Sequence, residues 1–470
     1  PDFTFHTFRY MEVAGLSYRP DPSDFVGWAL NTAVEGDNVF TCSSALINQI
    51  QAMAVRTFRS NLQSIQSDCP ARERFGYGGD LNAVAEAYVY NFDMHAFYRK
   101  TIYDWVDAMK DTSFVDTAPF VGIEYCGISW EAAFLITQHL LLRYYDDVAL
   151  IEALYPLDLK WMEKVAKIHP NGIVESGLAD HEALQPSPVQ LTGTLHYLQC
   201  AHIMTIFAQL MNDRPNVRKF QKLAERLQTA VQQKFWNPPV DSSVNQQALH
   251  ASLLYHQVIP RSKQRIAAEA LRRAMAQGPE GHFTTGIFTT KYILEAASRH
   301  GLVDDVFNIV QSTAFPGWGH MIDRGATTLW ETWKESDNVY SNCHPMFGSV
   351  SEWVYRWLAG IQPDETHFGF QKFILCPHAP QGLDSVACCY RSPYGVIRSN
   401  WKKTSVGVIY DFEVPRSTTA RFQIPVAFAA IVRIEKQGEG EVASCRIKAG
   451  TFHHTFSPGV YKITVTRQRI

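Results

Sequence analysis

The 470-residue sequence contains no N-x-S/T acceptor site, no C-x-x-C pair and no His-spaced cysteine pattern. That removes the usual marks of a glycosylated secretory chain, a redox dithiol or a structural zinc site. H-E-x-x-H, G-x-S-x-G and G-x-x-x-x-G-K-[ST] are missing too, which sets aside zinc-protease, serine-hydrolase and P-loop chemistry. Charge of one sign is also lacking: 43 Lys+Arg stand against 46 Asp+Glu, a net charge of −3. With no long basic run, neither nucleic acid nor an anionic membrane is expected as the main partner. The longest apolar stretches, such as Val426–Val432 and Ala132–Ile136, are far too short to span a bilayer. The nine cysteines are odd in number and scattered, and most are expected to be buried free thiols. The chain opens at Pro1 with neither an initiator Met nor a basic-then-apolar leader. It reads as a segment of something longer and leaves targeting and compartment unassigned.

Aromatic residues are plentiful, at 13%. They imply either a large aromatic core or a surface on which the C–H faces of a sugar could pack. Periodicity divides the chain. Residues 1–40 read as strand-like, from the spacing of Phe3, Phe5, Phe8 and Tyr10 ahead of the breakers Pro20, Asp21 and Pro22. From residue 41 to 361 apolar positions recur at helical spacing. About twelve helical stretches are expected, near 44–63, 83–109, 130–146, 148–168, 192–212, 215–235, 245–257, 262–277, 286–299, 302–312, 326–332 and 348–360. Many are joined by short Gly, Pro or Asn loops, as suits antiparallel neighbours. Twelve helices in pairs predict a mainly α fold, an (α/α)6 barrel with its chemistry in the loops at one end. Over 362–470 the period drops to two, as in Val406–Pro415 and Val460–Val465, and a C-terminal antiparallel β-sandwich is expected. No catalytic residue is placed there.

Two stretches could carry chemistry. Asp68–Asp80 packs five charges and three glycines into thirteen residues of a sparsely charged chain. Glycines at 76, 78 and 79 permit close approaches that a side chain would block. The stretch is either a salt-bridged loop capping a helix or a polar cup suited to sugar hydroxyls. The second stretch, Gly325–Trp333, sets Glu331 between Trp330 and Trp333, with His344 and the turn at Phe347–Val350 close behind. Desolvation by indole rings disfavours a charged carboxylate unless a donor compensates. Taken alone, a glutamate between two tryptophans is more often an acceptor for an indole N–H or a surface residue than a catalyst, and a lone histidine is usually a satisfied core or hydrogen-bonding residue rather than a metal ligand. Two carboxylates on distant loops, with no metal or nucleophile pattern beside them, leave acid–base glycoside cleavage as the economical reaction class.

The run D-C-P-A-R-E-R-x-G-x-x-G-D, followed by G-A-T-T-L-W-E and then H-x-x-F-G-S-V, resembles the bacterial and fungal α-L-rhamnosidases of glycoside hydrolase family 78. Tyr90–Asp93, Gly281–Gly286 and Ser392–Gly395 extend the resemblance along nearly the whole chain in the family's order. The resemblance implies an (α/α)6 catalytic barrel with a β-sandwich behind it, and β-domains in front of which residues 1–40 would be a remnant. It implies an inverting, exo-acting glycosidase for terminal α-L-rhamnose, with Glu73 as general acid and Glu331 as general base. Such a pair stands roughly 6.5–9.5 Å apart to admit a water. Asp68, Arg72 and Asp80 match the cup around the rhamnose hydroxyls, and His344 matches the histidine at the sugar site. Trp130 and Glu131 match less directly, since Glu131 falls where the family usually has Asp and Trp130 lies one position off the usual Trp.

The departures fall on the aromatic wall. Tyr77 replaces a Trp, and in Ala179-Asp180-His181-Glu182 another Trp becomes His181, while Cys343 stands where Asn is common. His181 could then meet an acidic neighbour of the rhamnose, such as a uronic acid. The proposed chemistry needs no cofactor and no metal, and the expected partner is a rhamnosyl glycoside or oligosaccharide. The competing readings are a related (α/α)6 glycosidase or phosphorylase with altered substrate, and a non-catalytic carbohydrate-binding protein.

Overall fold

The computed structural model describes residues 6, 10–36, 38–111, 113–236, 243–278, 281–336, 339–426 and 428–468. Its helical region begins with α1 (Ala45–Ser60), whose N-cap Ser44 accepts from the Ile47 amide. There follow α2 (Gly78–Asn91), α3 (His95–Ala108), α4 (Ile128–Glu131), α5 (Ala133–Tyr145), α6 (Val148–Ile168) and α7 (Val189–Leu210). Next come α8 (Arg214–Val231), α9 (Gln246–Tyr255), α10 (Gln264–Gln277), α11 (Ile287–Arg299), α12 (Val303–Val310) and α13 (Trp318–Asp323). Last is α14 (Ser349–Trp353), which runs on through a wider turn to Leu358.

Burial sorts these helices into two rings. In α8 only Phe220, Ala224, Leu227 and Val231 are buried, a single stripe at helical spacing. In α2 and α11 nearly every residue is buried, which is what an inner position requires. The inner helices α2, α5, α7, α9, α11 and α14 each touch the next, and α14 returns to α2, so the ring closes. Outer helices alternate with them in sequence. All six inner helices therefore run the same way, and the loops before their N-termini gather at one mouth.

Midway along the inner helices, a buried ion network ties α2, α11 and α14 together. Arg356 binds Glu86 at 3.0 Å and Glu295 at 2.9 Å, and Lys291 binds Glu86 at 3.2 Å and Glu352 at 3.0 Å. Buried charges persist only when so paired.

The sandwich closes the molecule behind the barrel. One sheet has the order β1-β6-β7-β8-β13-β10-β11, formed by Val39–Cys42, Ser385–Ser392, Gly395–Thr404, Gly407–Val414, Gly459–Arg467, Ala430–Lys436 and Gly440–Ile447. The other has the order β12-β9-β5-β4, formed by Gly450–Phe456, Thr419–Val426, Lys372–Leu375 and Ile361–Pro363. Two further strands, β2 (Leu62–Gln63) and β3 (Ile65–Gln66), make a small hairpin after α1.

Four details differ from the sequence expectation. The stretch 83–109 is two helices, broken at Phe92–Met94, where the Asp93 carboxylate accepts from the His95 amide and starts α3. Residues 326–332 are loop, because their backbone is engaged elsewhere: the Leu329 amide donates to Thr57 Oγ1 and the His344 amide to the Leu329 carbonyl. The expectation of strands over 1–40 rests partly on Phe3, Phe5 and Phe8, which lie outside the described residues. From Tyr10 to Asn38 the described chain is irregular apart from one turn at Pro22–Asp24. Its first strand is β1, and that strand extends the C-terminal sheet by pairing with β6. The sandwich is antiparallel except for one pair, since β5 lies parallel to β9.

Candidate active site

The charged loop Asp68–Asp80 enters the mouth ahead of α2. Asp68 clamps it: its amide donates to the Phe75 carbonyl at 3.0 Å, and its Oδ1 accepts from the Phe75 amide at 2.7 Å. The clamp leaves Arg72 and Glu73 exposed at the tip. After it, the Gly78 amide donates to the Asp116 carbonyl and the Ala118 amide to the Gly76 carbonyl, fastening this loop to the neighbouring one.

The glycines serve close approach. A Cβ on Gly76 would lie 2.3 Å from the Ala118 carbonyl oxygen, and one on Gly78 would lie 2.1 Å from that of Trp130. A Cβ on Gly79 would fall 2.3–2.6 Å from the Trp130 indole. The Gly79→Ala substitution is therefore expected to cost about 2 kcal/mol by overpacking. Denaturant unfolding checks this, and an unchanged midpoint would contradict it.

Glu331 lies across the mouth on the loop before α14. Its amide donates to the Ser341 carbonyl, and its Oε2 accepts from the Ser341 amide at 2.5 Å, so both ends of the residue are fixed. The indoles do not serve the carboxylate. Trp333 Nε1 donates to the Thr285 carbonyl, and the buried Trp330 ring stands edge-on to His320. Burial raises the Glu331 pKa above its usual value. The Ser341 amide opposes this, and the charges of Glu182, Asp68 and Glu73 add to it.

Asp68 and Asp80 belong to the same cluster. Burial pushes Asp68 up to about 6, against hydrogen bonds from Cys69 and Phe75, and the Glu73 charge raises it further. Burial, then the charges of Asp68 and Glu331, hold Asp80 well above the carboxylate range. Asp80 Oδ1 lies 3.4 Å from His344 Nδ1 and has no hydrogen-bond partner among the described residues. Burial drives His344 down to about 3, with the nearby His181 acting in the same direction. The unpartnered Asp80 oxygen and a neutral imidazole at the base of the cup can each hydrogen-bond a hydroxyl.

Tyr77 is within hydrogen-bonding reach of Glu73, and burial followed by the Glu73 charge pushes its phenol up. Trp130 is buried under the start of α2, edge-on to His181 and to Phe288. Among the described residues no group of three or more His, Cys, Asp or Glu side chains could hold a metal ion.

Residues 36–358 match the family model described as the bacterial alpha-L-rhamnosidase 6 hairpin glycosidase domain. Residues 360–439 match the bacterial alpha-L-rhamnosidase C-terminal domain. The chain belongs to the bacterial α-L-rhamnosidase family, glycoside hydrolase family 78. An α-L-rhamnosidase of Streptomyces avermitilis is 27% identical over 441 residues, covering 90% of this chain and 42% of the relative. One from Formosa agariphila is 26% identical over 457 residues, covering 89% and 47%. The solved α-L-rhamnosidase from Dictyoglumus thermophilum superposes with a TM-score of 0.85 at 28% identity, over 96% of this chain and 52% of that one. The Streptomyces avermitilis enzyme complexed with L-rhamnose shares the fold, with a TM-score of 0.84 at 23% identity, over 92% of this chain and 42% of that one. The chain thus spans about half the length of the curated relatives it matches.

Not every residue that the family motifs suggest for this site faces the cup. Asp68, Glu73, Tyr77, Asp80, His181, Glu331 and His344 sense one another there, and Arg72 stands beside Glu73 at the loop tip. Glu131 is turned away, because its Oε2 accepts from Trp161 Nε1 on α6 at 3.1 Å. Asp180 is a brace: its buried carboxylate accepts from the amides of Gly286, Phe288 and Thr289 and from the Thr289 hydroxyl, fixing the loop before α11. Trp130 is buried beneath the start of α2, and Trp330 is buried beside His320.

The sequence reading missed Glu182. It sits at a left-handed φ of 55°, within hydrogen-bonding reach of Thr332 and close enough to Glu331 to raise its pKa. Its position next to His181 was the only signal available. Ser341, whose amide fixes the Glu331 carboxylate, has no sequence signal.

Proposed function

We propose that the chain carries the catalytic unit of an inverting, exo-acting glycosidase that releases terminal α-L-rhamnose. Glu73 serves as general acid and Glu331 as general base. The observation that carries this reading is the coupling of Glu73, Glu331, Asp68 and Asp80 in one cluster at the mouth, with a buried, unpartnered Asp80 oxygen at its base. That oxygen and His344 suit the hydroxyls of a terminal sugar. The relatives from Streptomyces avermitilis and Formosa agariphila bear the name α-L-rhamnosidase, which supports this reading.

In the proposed step a water gives a proton to the Glu331 carboxylate as its oxygen bonds to C1. The C1–O bond on the opposite face breaks, and the departing oxygen takes the proton of Glu73. Solvent then returns a proton to Glu73 and removes one from Glu331, so atoms and charges balance. No cofactor enters the step.

Assaying this chain on p-nitrophenyl α-L-rhamnoside tests the proposal. Release of L-rhamnose is expected. Binding of rhamnose without turnover would instead favour a carbohydrate-binding protein.

A further inference from the structure

The base side of the mouth carries a second carboxylate that the proposed step does not use. Glu182 lies half-buried in the loop ahead of α7, one of the loops that gather at the mouth. Its backbone sits at a left-handed φ of 55°, where a side chain is strained and glycine is not. The loop is nevertheless held in that shape from both ends. The Ile287 amide donates to the His181 carbonyl at 3.0 Å, and the Gln185 amide to the Thr284 carbonyl at 3.1 Å. Asn245 Nδ2 donates to the Gln185 carbonyl at 2.9 Å. Non-glycine residues fixed in this region gather at functional sites, because the surrounding structure must hold them there.

The segment that anchors this loop also anchors that of the base. Gln185 takes the Thr284 carbonyl, and Trp333 Nε1 donates to the next one, Thr285, at 2.9 Å. Thr332, the buried neighbour of Glu331, is within hydrogen-bonding reach of the Glu182 carboxylate. After burial, the Glu182 charge is the largest influence raising Glu331, ahead of Asp68 and Glu73. Asp80 faces Glu331 from α2 and is itself held well above the carboxylate range by burial. Burial pushes Asp68 up to about 6, and Glu73 carries its proton at rest in the proposed step. Glu182 is therefore the negative charge that the base meets most directly. An attacking water must aim a lone pair at C1 while Glu331 takes one of its protons. A second acceptor on the same side fixes the direction of the other O–H, which stays on the new hydroxyl at C1.

We propose that Glu182 shares the attacking water with Glu331: its carboxylate accepts the hydrogen bond of the O–H that is kept, while Glu331 removes the other proton. This rests on the reading of Glu331 as the base.

The test compares the chain with its Glu182→Gln and Glu182→Gly variants on p-nitrophenyl α-L-rhamnoside and methyl α-L-rhamnoside. Glutamine keeps an oxygen for Thr332 and loses only the charge. Its kcat is expected to fall about tenfold, the size of one hydrogen bond to a charged group, with KM unchanged. The loss should be similar on both substrates, because the water side does not touch the leaving group. With the charge gone Glu331 stays ionised to lower pH, so the acidic limb of kcat/KM should move down. Glu182→Gly removes the strain along with the carboxylate. Its thermal unfolding midpoint should not fall, while its kcat drops as far as that of the glutamine variant. An unchanged kcat in Glu182→Gln, or a raised KM alone, would overturn the shared water and leave Glu73 and Glu331 as assigned. A destabilised Glu182→Gly with near-normal kcat would make Glu182 a loop brace and overturn it as well. Absence of turnover by the unmodified chain on both substrates would overturn the catalytic reading itself, and this inference with it.

Discussion

Replacing Glu331 with glutamine is expected to lower kcat by about 10³-fold, in the range for loss of a general base, while the protein stays folded. The separation of the two effects follows from how the residue is held. Glu331 Oε2 accepts a hydrogen bond from the Ser341 amide, and the oxygen of a glutamine side chain can accept the same bond. The loop is further closed by backbone bonds from Glu331 to Ser341 and from His344 to Leu329, which the substitution leaves in place. What disappears is the capacity to take a proton from water. Added azide, which needs no deprotonation, should restore turnover and yield β-L-rhamnosyl azide. Near-normal kcat in the variant would reject the assignment. The pH profile carries the same information. A base works only while ionised, so activity falls as pH drops through its pKa. Burial and the neighbouring carboxylates raise Glu331 above the usual 4.5, so the acidic limb of kcat/KM is expected above that value. Asp68, at about 6, interacts with Glu331, and the limb belongs to the coupled group.

Glu73→Gln is expected to behave differently, and the leaving group reveals why. An acid matters most when the departing oxygen is a poor leaving group. The loss should reach about 10³-fold on an alkyl rhamnoside and shrink to about tenfold on p-nitrophenyl rhamnoside, whose phenolate departs with little help. Stability should not change. Glu73 lies exposed at the tip of a loop closed by the Asp68–Phe75 clamp, and the hydrogen bond within its reach, from the Tyr77 phenol, can be accepted equally by the amide oxygen of glutamine. Equal losses on both substrates would argue that Glu73 positions the sugar instead of protonating the aglycone.

The barrel was legible in the sequence because helical periodicity survives wherever one face is buried, as in the Phe220, Ala224, Leu227, Val231 stripe of α8. Periodicity fails for helices buried on all sides. The nearly all-buried α2 gave no register against which the break at Phe92–Met94 could show, and that break is marked by the hydrogen bond from the His95 amide to the Asp93 carboxylate. The 326–332 segment has helix-compatible residues, but its backbone is claimed by Thr57 and by the His344 amide, partners that only the tertiary fold supplies. The motifs pointed to loops that the fold gathers at one mouth, without giving side-chain direction. Asp80 and Glu331 face the cup, whereas Asp180 spends its carboxylate on amides more than a hundred residues away, and Glu131 points to Trp161. Adjacent residues on a helix or turn point in different directions, so Trp130 can pack beneath α2 while Glu131 faces an outer helix. Glu182 went unread because it lies in no spaced motif, and its place beside Glu331 comes from the fold around the Asp180 brace.

The measurement that tests the central claim most directly is time-resolved proton NMR of p-nitrophenyl α-L-rhamnoside hydrolysis by this chain, with Glu331→Gln as control. The account predicts that β-L-rhamnose appears first and only later mutarotates, and that the variant releases almost none. Early α-L-rhamnose would mean retention of configuration, and would contradict a single displacement by water between Glu73 and Glu331.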